Sequence, residues 1–269
     1  MSNEIVVAVA QFAPTDDSAA NLAAIADFVE RAAGNGSRLV LFPEYSSYFV
    51  HPLGESFIAA AESLDGPFVG SLAELAIAHD IHIVAGLVET VVDDPSRFSN
   101  TIVAVSPDGR IEATYRKQHL YDAFGATESS WVVPGDLGTP EIFDVDGFRV
   151  GMQTCYDIRF PEVTRRLVDA GAELVLVPAE WVRGPLKENH WSTLLAARAI
   201  ENTVYVAAAD QTPPIGVGTS AILDPMGVAL ATLGELPGLA SATVSRERLE
   251  GVRRTNPSLA LRRYSVVER

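Results

Sequence analysis

The sequence predicts one α/β domain with mixed strand pairing. Apolar runs of strand length alternate with amphipathic helical segments, which is the mark of crossover connections. Two hairpin turns interrupt that alternation, so antiparallel pairs join the parallel ones. No linker, short repeat or low-complexity tract divides the 269 residues, a length that fits one large α/β domain.

Residues 5–12 form the first apolar run. Residues 19–33 follow as a helix, with Leu22, Ile25, Val29 and Ala32 at helical spacing and Gly34 and Gly36 at its end. Residues 38–42 read as a short buried strand, 68–78 as a helix just after Gly66-Pro67, and 81–88 as a strand. Residues 100–106 and 110–115 flank Pro107-Asp108-Gly109, a hairpin signal. The second half repeats the theme. Residues 148–154 read as a strand, 161–170 as a helix opened by a proline, and 174–177 as a strand. A long helix over 187–200 carries Trp191, Leu194, Leu195 and Ala199, and a strand spans 203–208. Residues 220–223 and 228–231 flank the turn Asp224-Pro225-Met226-Gly227. Residues 251–269 are rich in arginine and carry no periodic pattern, so they read as an arm, an interface segment or a frayed end.

Composition narrows the partners. With 35 acidic and 20 basic residues the net charge is −15, which argues against nucleic acid or an anionic membrane surface. The start, MSNEIVVAVAQF, lacks the basic segment of a signal peptide, and no stretch of spanning length is free of charge. A single cysteine excludes an intrachain disulfide and suits a reducing cytoplasm.

That cysteine, Cys155, stands between a strand and a helix, where α/β proteins expose side chains at a sheet rim. Taken alone, however, a lone cysteine reads first as a small buried hydrophobe. Glu44 leaves the run Leu39-Val40-Leu41-Phe42-Pro43, either as a general base among apolar neighbours or as a solvated loop carboxylate. Lys117, in Tyr115-Arg116-Lys117-Gln118-His119-Leu120, is a holder of transition-state charge or a surface lysine. The three gain meaning together. Each sits at a strand exit, and a thiol needs a base to become a nucleophile. No metal-ligand spacing, G-x-S-x-G elbow or phosphate loop is present, and His119 and His190 read as structural hydrogen-bonders.

Phe42-Pro43-Glu44, Tyr115 to Leu120 and Cys155-Tyr156-Asp157-Ile158-Arg159-Phe160-Pro161-Glu162 resemble, in order and spacing, the three signature segments of the nitrilase-like carbon–nitrogen hydrolase superfamily. The resemblance continues through Pro178-Ala179-Glu180-Trp181, His190-Trp191, Ala197 to Asn202 and Gly218 to Ser220, reaching about residue 245. It implies a four-layer αββα sandwich with two facing sheets, a homodimer, and no metal or organic cofactor. It implies Glu44 as base, Lys117 as oxyanion partner, Cys155 as nucleophile and Glu128 as a second acid that orients the site. Tyr156, Glu180 and Trp181 are expected to line the substrate pocket. Arg159 is expected either to clamp a substrate carboxylate or to pair with Glu162 or Glu201. The implied activity is hydrolysis of a small linear amide, with a likeness to branches acting on ω-amides of keto acids or on deaminated glutathione. An N-carbamoyl amide hydrolase is the alternative within the superfamily. Tyr156 stands where nitrile-cleaving members usually carry tryptophan. A non-catalytic binding or assembly protein of the same fold is the alternative from another class, opposed by the intact Glu44, Lys117 and Cys155.

Overall fold

The computed structural model describes residues 3–268, so the ends of the expected 1–269 domain, Met1, Ser2 and Arg269, lie outside the described residues. In chain order the first half comprises β1 (Glu4–Gln11), α1 (Ser18–Gly34), β2 (Ser37–Leu41), the short α2 (Glu55–Ala60), α3 (Pro67–His79), β3 (His82–Thr90), β4 (Phe98–Val105) and β5 (Ile111–Arg116). The second half comprises β6 (Ile142–Val145), β7 (Phe148–Met152), α4 (Pro161–Asp169), β8 (Leu174–Ala179), α5 (Lys187–Asn202), β9 (Tyr205–Asp210), β10 (Ala221–Leu223), β11 (Ala229–Thr232), β12 (Gly238–Ser245) and α6 (Arg246–Thr255).

Local chemistry sets the boundaries. The Asp17 side chain accepts from the Ala20 N–H and caps α1, while Pro67 and Pro161 open α3 and α4, where a missing N–H costs nothing. Ser245 ends β12 and caps α6 by accepting from the Arg248 N–H.

The strands form two six-stranded sheets, ordered β12-β1-β2-β3-β4-β5 and β11-β10-β9-β8-β7-β6. In the first, β1–β2 and β2–β3 are parallel and the other pairs antiparallel. In the second, β7–β8 and β8–β9 are parallel and the rest antiparallel. Read from β5 in one and β11 in the other, the order of pair types is the same. The expected mixed sheets and αββα sandwich are therefore what the chain forms.

Strands covered on both faces read as continuous apolar runs. Val7, Val9, Leu41, Val84 and Ile102 of the first sheet share one core with Val150, Met152, Leu176 and Ala207 of the second. Their alternating neighbours Ala8, Val40 and Ile83 pack outward on Ile25, Val29 and Leu72 of α1 and α3. On the far side, Val175, Val177 and Val206 pack on Leu167, Trp191 and Leu195 of α4 and α5. Truncating a buried residue such as Ile25 to alanine costs about 2–5 kcal/mol.

The C-terminal reading needs one correction. Gly251 to Thr255 belong to α6, not to an arm; only Leu249 and Val252 of that helix are buried, too few to register as a periodic stripe. The segment beyond is held on α4 by Arg262–Asp169 at 2.5 Å and Arg166–Glu268 at 3.2 Å.

Candidate active site

Four strand exits meet at one rim. Glu44 follows β2, Lys117 follows β5, Cys155 follows β7 and Glu180 follows β8. The first two leave one sheet and the last two leave the other. Backbone bonds fix the exits. The Phe42 N–H donates to the Val84 carbonyl at 2.8 Å, and the Gly135 N–H to the Lys117 carbonyl at 2.8 Å. Gly86 of β3 lies so close to the Glu44–Tyr45 peptide that a Cβ there would overlap the Tyr45 nitrogen and the Glu44 carbonyl carbon.

Lys117 Nζ donates to Glu44 Oε1 at 3.0 Å and to Glu128 Oε1 at 3.0 Å. All three residues are buried. One ammonium does not neutralise two carboxylates, so the remaining lone pairs require other donors. Asn100 Nδ2 reaches Glu44 Oε1 at 2.6 Å, the Glu180 N–H reaches Glu44 Oε2 at 2.6 Å, and Tyr45 Oη reaches Glu128 Oε1 at 2.9 Å. The Tyr121 N–H donates to Glu128 Oε2. Burial opposes the charge on Lys117, but Glu128 and Glu44 outweigh it and hold the ammonium's pKa well above the ordinary value.

Cys155 opens a 3-10 turn over Cys155–Arg159 in a left-handed conformation, φ 45°, which a side chain rarely adopts. Its Sγ donates to the Glu180 carbonyl at 3.5 Å. Burial, then the Glu44 charge, pushes the thiol well above its usual range, with Lys117 pulling the other way. Burial and the Glu44 charge thus favour the protonated form of the thiol. Asp157, two residues on, ties this turn to the lysine segment: it accepts from the His119 N–H at 2.9 Å and from Tyr115 Oη at 2.8 Å, and lies 2.7 Å from His119 Nδ1.

A cavity of about 800 Å³ opens over these groups. Glu44, Lys117, Glu128, Cys155, Tyr156, Glu180 and Trp181 all line it, as does Trp131. Glu180 presents a buried Oε1 with no partner, and burial, then the Glu44 and Asp210 charges, raises its carboxyl pKa well above the ordinary value.

Arg159 does not line this cavity. Its Cζ lies 4.8 Å from the Trp181 ring centroid and 5.9 Å from that of Tyr156, and Nη2 lies 3.3 Å from His190 Nδ1. Neither expected carboxylate meets it, and Glu201 instead pairs with Arg198 at 2.7 Å. Tyr45, Asn100 and Lys187 were not foreseen. Tyr45 had adjacency to Glu44 as a signal, whereas Asn100 inside a strand and Lys187 at a helix start had none.

Two facing six-stranded sheets, with a thiol, an ammonium and carboxylates at their common rim, define the class: a hydrolase of the nitrilase-like sandwich. The chain belongs to the carbon–nitrogen hydrolase family, whose profile matches residues 6–254. It is an amidase-type enzyme. A deaminated glutathione amidase from Escherichia coli is 40% identical over 261 residues, covering 97% of this chain and 98% of that protein. A Saccharomyces cerevisiae structure, described as a member of branch 10 of the nitrilase superfamily, matches at TM-score 0.85 and 27% identity and covers 98% of each chain. An amidase variant from Nesterenkonia sp. matches at TM-score 0.76 and 28% identity, covering 93% of this chain and 97% of that one. In that protein acrylamide has undergone Michael addition at the active-site cysteine.

Proposed function

We propose that this chain hydrolyses the terminal amide of a small keto or amino acid, or of a deaminated glutathione-like compound, through a thioester on Cys155. Glu44 takes the thiol proton as sulfur attacks the amide carbon. Lys117, with the Tyr156 N–H, stabilises the tetrahedral oxyanion. Glu44 returns the proton to the departing nitrogen as the C–N bond breaks, releasing ammonia or an amine. It then takes a proton from water, which attacks the thioester carbonyl. The C–S bond breaks, the acid leaves, and the thiol recovers its proton. Glu128 holds Lys117 in place.

The observation that supports this reading most is the single network of buried bonds joining Glu44, Lys117 and Glu128 on the floor of the cavity that Cys155 enters. The names of relatives support the amide class. The test is ammonia release from a panel of small amides. Cys155→Ala should lower kcat by about 10,000-fold or more. Equal turnover by wild type and Cys155→Ala would refute the reading.

The chain is further proposed to fold as one domain and to work as a homodimer in the cytoplasm. Leu261, Tyr264 and Val267 expose apolar surface on the C-terminal segment, which supports a partner there. Analytical ultracentrifugation tests this, and a purely monomeric species at micromolar concentration would refute it. The lone cysteine supports a reducing compartment, and among the described residues no helix is long and apolar enough to cross a membrane.

A further inference from the structure

Lys187, the first residue of α5, lies in the cavity wall with 5% of its surface exposed. Its Nζ donates to Tyr121 Oη at 2.7 Å and sits 4.2 Å from the Phe124 ring centroid and 5.5 Å from that of Trp181. An ammonium has three donors, and the tyrosine uses one. Among the described residues no carboxylate stands within ion-pair distance of it. The cavity's other lysine and its arginine are paired: Lys117 with Glu44 and Glu128, and Arg183 with Glu235 at 3.0 Å.

Three physical terms oppose a charge at this place. The side chain is buried. Arg159, also without a carboxylate partner among the described residues, faces the same Trp181 and Phe124 rings. The position is the positive end of a 16-residue helix, where a cation is disfavoured and an anion favoured. Burial, then Arg159, lowers the Lys187 pKa. Glu180, which lines the same cavity, raises the Lys187 pKa through its charge but makes no ion pair with it.

An anionic ligand group would relieve all three terms at once. We propose that Lys187, together with Tyr121 Oη, anchors a substrate carboxylate remote from the scissile amide and so selects amides of acidic small molecules. Arg159, over the same Trp181 and Phe124 rings, supports the same anion through its field without lining the cavity. Tyr121, its pKa pushed up to about 12 chiefly by burial, keeps its proton and can donate it to the ligand. The raised pKa of Glu180 favours its neutral form, so that carboxyl does not repel an acidic substrate. Lys187 is a specificity-determining residue on this account, and the assignment rests on the amidase reading above.

The test compares glutaramate with pentanamide, an anionic and a neutral amide of equal chain length, in wild type and in Lys187→Met. The wild type should favour glutaramate in kcat/KM, and Lys187→Met should cut the glutaramate-to-pentanamide ratio by about 10- to 100-fold, chiefly through KM for glutaramate. Lys187→Arg should retain part of the preference. Should Lys187→Met not fold, Tyr121→Phe provides the second arm, with a smaller drop in the same ratio expected. Calorimetric titration of glutaramate into Cys155→Ala, with and without Lys187→Met, reads the anchor without turnover. Binding lost only in the double variant sustains the inference even if no amide is hydrolysed, a result that would sink the amidase reading alone. Turnover with an unchanged ratio in Lys187→Met overturns the inference and leaves the amidase reading standing. Absence of both turnover and Lys187-dependent binding overturns both.

Discussion

The Glu180 N–H donates to Glu44 Oε2 at 2.6 Å, a bond that runs from the rim of one sheet to the rim of the other. The same residue's carbonyl receives the Cys155 thiol. One peptide segment therefore spaces acid and sulfur, whatever side chain residue 180 carries.

Glu44 is the leading charge that raises the Cys155 thiol. Replacing it with glutamine removes that anion while Lys117 remains, so the thiol pKa should fall. Amide turnover of Glu44→Gln should drop about 100- to 10,000-fold. Alkylation by iodoacetamide should nonetheless reach its half-maximal rate at lower pH than in wild type. A midpoint that stays put or rises would contradict this charge assignment.

Lys117 is the shared cation of two buried carboxylates. Lys117→Met leaves them facing each other and should cost about 3–5 kcal/mol in urea unfolding. Any folded fraction should lose about 100- to 1,000-fold in kcat, since the proposed oxyanion partner is gone. A stable variant with near-normal kcat would remove Lys117 from the mechanism.

Glu180 gives a pH signature. Burial, then the Glu44 and Asp210 charges, raises its carboxyl pKa. An acid raised in the folded state holds its proton more tightly there than in the unfolded chain. Its contribution is complete below the unfolded value of about 4.3 and is lost as pH rises toward the folded value. Glu180→Gln mimics the protonated form and cannot ionise. The stability of the variant relative to wild type should therefore grow as pH rises above about 4.3. A difference that stays flat with pH in urea unfolding would show that the carboxyl ionises freely.

Asp157 is fully buried and serves His119 and Tyr115 together. Asp157→Ala strands those donors and should cost about 3–5 kcal/mol. The thermal midpoint should fall by about 10 °C. A fall of less than about 2 °C would mean that water replaces the carboxylate without penalty.

Much of the architecture was legible because doubly buried strands leave long apolar runs and helices leave periodic stripes. β6 has four residues, β12 alternates small and polar ones, and α6 buries only Leu249 and Val252, so none left a pattern. In the site, Glu44, Lys117 and Cys155 stand at strand exits, but it is the resemblance of their three segments to the superfamily's signatures that marked them. Asn100 was silent because a strand asparagine announces nothing until its partner across the sheet is known. Arg159 could be flagged as a cation, but its enclosure by Trp181, Tyr156 and His190 depends on α5 folding back over the turn after Cys155.

The division of the site between two sheets bears on the chain's history before it is finished. The acid and the ammonium are translated well ahead of the sulfur, and they stand on a different layer of the finished molecule. On the proposed roles, a chain lacking either layer holds the base without its thiol or the thiol without its base. The proposed pairing of Glu44 with Cys155 therefore exists only once the two layers have closed on each other.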